Sequence, residues 1–284
     1  MTRSPRTLLA AVLVSAALLA SCSSSDSDGA TSSTTKAPGS STTTTAAKAE
    51  KLQILVVNDD GYQGDGIDAV VQGLRNLPDV ELEVVAPAEN QSGTGGKATE
   101  GKLARSQVEL NSGFPATAVE GYPVDAVRVA FDDLKVQPDL VVSGINQGQN
   151  LGPAADISGT VGAAREAVAR GVPALAVSQG LAKSINYAAA VSIVVDWVQD
   201  QREALLDGRA EAQVDNINVP SCAEGEPRGL AEVKADLGGD MARSLGAQDC
   251  ASTVQIDPAT MTDVDAFLIG YATHTLLPAT AGGK

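Results

Sequence analysis

From Leu52 onward, short apolar runs alternate with stretches whose apolar residues recur at helical spacing. "LQILVV" (52–57) reads as a buried strand, and "GIDAVVQGLRNL" (66–77) carries Ile, Val and Leu on one side of a helix. Further strands fall at 80–87, 117–121, 139–144 and 173–178. Further helices fall at 123–134, begun by Pro123, at 159–171 and at 185–201. Such alternation requires right-handed crossovers and a mainly parallel sheet covered on both faces, the three-layer α/β/α class of Rossmann-like folds. "VDNINVPS" (214–221) and "DAFLIGYATHTLLP" (265–278) read as later strands, a C-terminal β extension outside the parallel core. The chain shows no internal repeat.

The first 49 residues break the alternation. Arg3 and Arg6 precede an apolar stretch from Leu8 to Leu19 that is too short to span a bilayer comfortably, which marks residues 1–22 as a signal peptide. Its end, "LASC", resembles the lipobox of bacterial lipoproteins, in which cleavage falls before a cysteine that carries the lipid; here that residue is Cys22. An ordinary secretory peptide is the alternative. Residues 23–49 hold almost no aliphatic side chain larger than Ala, so burial cannot offset the entropy of ordering them and they read as a disordered Ser/Thr-rich linker. The folded domain is then 50–284, exported to the cell envelope and anchored by lipid to the outer face of the cytoplasmic membrane, or secreted.

Charge and rare residues narrow the chemistry. The 284 residues include 35 acidic and 20 basic ones, for a net charge of −15; removing residues 1–21 takes away two arginines and no acid, leaving −17. A nucleic-acid polymer is an unsuited partner, because phosphate backbones need clustered Lys and Arg. His274 is the only histidine, which argues against a Ser–His–Asp triad, a phosphohistidine enzyme or a zinc site of several imidazoles. Cys222 and Cys250 are an even pair for an oxidising compartment and read as a disulfide, two buried thiols being the alternative.

"ILVVNDDGYQGDGI" (54–67) ends its apolar run in two adjacent acids and three glycines. In open parallel sheets, ligands bind outside the carboxyl ends of the strands, where Asp59 and Asp60 fall. Two carboxylates forced together repel, and a divalent cation held by hard oxygen ligands removes the conflict. A local turn capped by Asn and Asp serves the same pattern, so this stretch alone fits either reading. Neither a dinucleotide fingerprint nor a P-loop is present: the glycines lack the G-x-G-x-x-G order, and for "GTGGKATEG" (93–101) the first Gly of a P-loop would fall on Gln91 while Ala98 replaces the hydroxyl residue. "PAENQSGTGG" (87–96) and "SGINQGQNLGPAADISGT" (143–160) are also loops at strand ends, and the latter closes on a helix start suited to an anion.

Together "ILVVNDDGYQGDGI", "VVAPAENQSG", "PDLVVSGINQGQNLG" and "SGTVGAAREAVARGVPALAVS" resemble the SurE family of metal-dependent nucleoside monophosphate phosphatases, from about Leu52 to Gln179, with "INVP" (217–220) and "GYATHTLLP" (270–278) resuming the likeness. The resemblance implies a divalent cation, Mg2+ or Mn2+, on Asp59, Asp60, Ser92 and Asn146. It implies a phosphate pocket of Asn146, Ser158, Gly159 and Thr160, with Asp59, Asp60 and Asn146 as the catalytic set. A turn hydroxyl at Ser92, an N-cap at Ser158 and a first-turn residue at Thr160 are the purely structural alternatives. It also implies a nucleoside monophosphate substrate and a homodimer or higher oligomer. Against the family pattern, Gly64 replaces an Ala, Asp65 sits beside it, Tyr122 replaces a small residue, and the chain runs only six residues past Pro278. A non-catalytic lipoprotein that captures nucleotides or phosphate esters is the alternative function.

Overall fold

The computed structural model describes residues 51–222 and 225–282; the stretches read as a signal peptide (1–22, with Cys22) and as a linker (23–49) lie outside the described residues. One nine-stranded sheet organises the chain, in the order β3-β4-β2-β1-β5-β6-β7-β9-β8. Its central strands are β1 (Leu52–Val57), β2 (Val80–Pro87), β4 (Pro115–Val119), β5 (Leu140–Gln147), β6 (Ala174–Gln179) and β7 (Val214–Val219), all parallel. The edges are β3 (Arg105–Glu109), antiparallel to β4, and β9 (Ala272–Leu277), antiparallel to β7, with β8 (Leu230–Glu232) beside β9.

Two apolar layers follow from the strand period of two. Leu52, Ile54 and Val56 face the layer packed by α1 (Asp65–Leu74) and α4 (Ala188–Leu206). Leu55 and Val57 face the layer packed by α2 (Pro123–Arg128) and α3 (Gly159–Ala169). This is the three-layer α/β/α arrangement expected from the alternation of elements. Buried Arg165 on α3 donates to Asp156 Oδ1 at 2.7 Å and to the Pro278 carbonyl at 3.1 Å, so the end of the chain is tied back to the sheet's helical face.

Three readings are corrected. Residues 214–221 were expected outside the parallel core, whereas β7 pairs in parallel with β6 throughout and belongs to it. Within 265–278 only β9 is strand, and α6 (Asp263–Leu268) precedes it. Thr262 explains that helix: its hydroxyl accepts from the Asp265 amide and the Asp265 carboxylate accepts from the Thr262 amide at 2.9 Å, a capping box. The helix read over 123–134 is α2 followed by one wider turn at Val129–Asp133. A short helix, α5 (Met241–Ser244), capped by Asp240, lies in a stretch without apolar periodicity.

Candidate active site

Loops from three neighbouring strands and the start of α3 meet at the carboxyl end of the sheet. After β1, Asn58 Nδ2 donates to the Gly61 carbonyl at 2.8 Å and the Gly64 amide to the same carbonyl at 3.0 Å. The turn needs Gly61, whose φ of 90° lies in the region L side chains avoid. It presents Asp59 and Asp60 side by side.

Each carboxylate is held by a different part of the fold. Asp59 is 2% exposed, and its Oδ1 accepts a 2.7 Å hydrogen bond from Thr160 Oγ1 in the first turn of α3. Asp60 Oδ1 accepts from Asn90 Nδ2 at 3.1 Å in the loop after β2, and Oδ2 accepts from the Gln147 amide at 2.9 Å at the end of β5. The second loop is tied in by its own backbone, since the Gln91 amide donates to the Asp59 carbonyl at 2.7 Å.

The neutral candidates come from the same elements. Ser92 is exposed, and its amide donates to Asn90 Oδ1 at 3.0 Å. Asn146 follows a register shift in β5 between Ser143 and Asn146, a bulge that re-aims the strand end. Its Nδ2 donates to the Gly148 carbonyl at 2.5 Å, which leaves Oδ1 as the free acceptor of the amide. Ser158 is the N-cap of α3, accepting from the Val161 amide at 3.2 Å. Gly159 lies so close that a Cβ there would sit 2.8 Å from Asp59 Cβ.

Asp59, Ser92, Asn146 and Ser158 line one cleft of about 210 Å³, as does Gln147, whose amide holds Asp60. Thr160 spends its hydroxyl on Asp59, so at the start of α3 it is Ser158 that faces the cleft. Tyr122 lines a separate hollow with Ala88, Glu89 and Thr99. Cys222 and Cys250 are bonded, with Cα atoms 5.6 Å apart. Asn90 and the Gln147 amide escaped the sequence reading; the polar run "AENQS" marked their neighbourhood, but a backbone amide leaves no signature.

Electrostatics sharpen the picture. Burial pushes Asp59 up to about 6, against the opposing Thr160 hydroxyl, and the neighbouring charge of Asp60 adds to the rise. Burial likewise raises Asp60, opposed by the Gln147 amide and Asn90. Tyr187 is pushed up to about 12 by burial and then by the charges of Asp60 and Asp65. Two adjacent carboxylates driven toward their protonated forms are a pair that a dication would relieve. Among the described residues there is no cluster of three or more His, Cys, Asp and Glu suited to a metal. The groups here that could hold a hard cation are the two carboxylates and the neutral oxygens of Ser92 and Asn146.

The family model described as "Survival protein SurE" matches residues 54–238. A relative named 5'-nucleotidase SurE from Pelobacter propionicus is 41% identical over 179 residues, covering 62% of this chain and 69% of that protein. One of the same name from Methanopyrus kandleri is 38% identical over 180 residues, covering 60% of this chain and 66% of that protein. The chain thus spans about two thirds of their length. The crystal structure of the SurE protein from Aquifex aeolicus superposes with a TM-score of 0.62 at 28% identity, covering 80% of this chain and 93% of that one.

Proposed function

Because the chain belongs to the survival protein SurE family, we propose that it is a metal-dependent phosphomonoesterase that hydrolyses nucleoside 5′- or 3′-monophosphates to nucleoside and phosphate. The observation that carries this is the meeting of Asp59, Ser92, Asn146 and Ser158 on one cleft, with Asp60 clamped directly behind Gln147. Relatives named 5'-nucleotidase support the substrate class.

Asp59 and Asp60, with Ser92 and Asn146, would hold Mg2+ or Mn2+. When bound, such a cation supplies a Lewis acid for a phosphoryl oxygen and cancels the repulsion of the two carboxylates. The chain's own residues fix the rest. Thr160 locks the orientation of Asp59 and favours its ionised form, while Asn90 and the Gln147 amide do the same for Asp60. The helix start at Ser158 and Gly159 places the positive end of α3 beside the cleft, where negative charge on the phosphoryl oxygens gains.

The N-terminal pattern of Arg3, Arg6, an apolar stretch and "LASC" supports an exported protein lipidated at Cys22, with residues 23–49 as a tether. Labelled fatty acid retained by the wild type and lost in Cys22→Ala tests this. A homodimer or higher oligomer is the assembly we propose, read by light scattering of the purified protein. Activity is tested by stripping the protein with chelator and measuring phosphate release from AMP, GMP, 3′-AMP and p-nitrophenyl phosphate with and without Mg2+ or Mn2+. Release restored by metal is expected. Nucleotide binding without release from any ester would instead make the protein a capture lipoprotein.

A further inference from the structure

The cleft beside Asp59 has an apolar side that the proposed chemistry leaves unused. Seven large apolar residues are exposed among the described residues, and four of them, Ile157, Leu181, Met241 and Leu245, gather at this one cleft. Apolar side chains scattered singly over a surface need no explanation, but a cluster of them does. They come from separate places: Ile157 from the turn before α3, Leu181 from the loop after β6, and Met241 and Leu245 from the two ends of α5.

Hydrogen bonds brace this wall. Gln149 Oε1 accepts from the Leu181 amide at 3.2 Å while its Nε2 donates to the Gly246 carbonyl at 3.1 Å, and Gln248 Nε2 donates to the Leu181 carbonyl at 3.1 Å. Part of the polar lining is likewise engaged within the fold. Gln149 is spent on backbone, and Asn150 donates from Nδ2 to Ser178 Oγ at 2.9 Å. Among the described residues no aromatic side chain lines this cleft. Met241 and Leu245 also fall beyond residues 54–238, the stretch matched by the family model.

We propose that Ile157, Leu181, Met241 and Leu245 form the subsite for the leaving group, and that it selects phosphate monoesters by the apolar area of that group rather than by hydrogen bonds to a base. The proposal rests on the phosphomonoesterase reading. A phosphate seated by Asn146 and Ser158 has the wall as its neighbour in the same cleft, so the group attached to it meets these four side chains. Esters with a broad apolar leaving group, such as aryl phosphates and purine nucleotides, are the favoured class, and small polyol phosphates the disfavoured one.

The test compares 1-naphthyl phosphate with glycerol 2-phosphate on the metal-loaded full chain. Wild type favours the naphthyl ester, and in Leu245→Ser and Met241→Gln the ratio of kcat/KM for the two esters falls about tenfold, or ~1.4 kcal/mol. The loss sits in KM, and Leu245→Met restores the ratio. Both side chains are partly exposed, so these substitutions leave the core intact. A ratio that stays unchanged in both variants overturns the proposal. Calorimetric binding of the two esters carries the same ratio, so a protein that turns over neither ester would count against the phosphomonoesterase reading while binding still decides the role of the wall.

Discussion

Thr160 and Asp59, 101 positions apart in the chain, are joined by a 2.7 Å hydrogen bond that links the first turn of α3 to the loop after β1. The bond is buried, so it acts on the ionised carboxylate with little solvent screening. Thr160→Val should remove it and raise the proton affinity of Asp59 further. A hydrogen bond to a charged group contributes about 1.5–3 kcal/mol, so kcat/KM should fall roughly ten- to hundredfold. Thr160→Ser should recover most of the loss.

Gly159→Ala makes a second test of the same junction. In an ordinary helix Ala is the better residue, but here its Cβ would lie 2.8 Å from Asp59 Cβ and 3.0 Å from Pro123 Cγ. Overpacking of this kind costs about 1–3 kcal/mol. Thermal melts should show lower stability, and titration with Mn2+ should show weaker binding.

Asp59 should make the metal-free fold sensitive to pH. Its proton affinity is raised from the ordinary 3.8 to about 6. A carboxyl raised in this way favours the fold below pH 4, and that stability is lost as pH rises through 6. Asp59→Asn removes the penalty, so in chelator at pH 8 the variant should be more stable than wild type by about 2–3 kcal/mol, with little difference at pH 4. Urea unfolding at the two pH values reads this directly.

His274 responds to pH through a different part of the sheet. Burial lowers its proton affinity, but Asp215 at 2.7 Å and Glu232 at 2.6 Å, one on each ring nitrogen, outweigh burial and raise it above the ordinary 6.5. Stability from a raised histidine is complete below 6.5 and is lost as pH rises through the higher folded value. His274→Gln should therefore destabilise by about 1–3 kcal/mol at pH 6 and by much less at pH 9.

The Cys222–Cys250 bond closes a loop of 28 positions that carries α5 and with it Met241 and Leu245. A loop of that length contributes about 3–4 kcal/mol in the chain-entropy picture. Reduction, or the paired change of both cysteines to Ser, should lower the melting temperature and blunt the preference for apolar esters together.

What the sequence reveals and what it hides divide along physical lines. The apolar run of β1 and the acids after it are local features, so strand, turn and Asp pair are legible together. The partners of those acids are not: Asn90 and the Gln147 amide reach Asp60 only because β2, β1 and β5 are neighbours in the sheet. Edge strand β3, "RSQVE", is almost wholly exposed and offers no apolar alternation, and β8 is three residues long. The apolar run at 266–269 has no decisive period, and the Thr262–Asp265 capping box, which the strand reading passes over, is the signal of a helix start. Met241 and Leu245 lie in a stretch of weak pattern, and only the fold carries them to the cleft of Asp59.

The central claim is that the loops after β1, β2 and β5 build one divalent-cation site on Asp59 and Asp60. Titration of Mn2+ into chelator-treated protein, followed by electron paramagnetic resonance, reads it directly. One Mn2+ bound per wild-type chain, with binding lost or weakened at least a hundredfold in Asp60→Ala, is the predicted result. Equal binding by the two proteins, or no binding by the wild type, would contradict it.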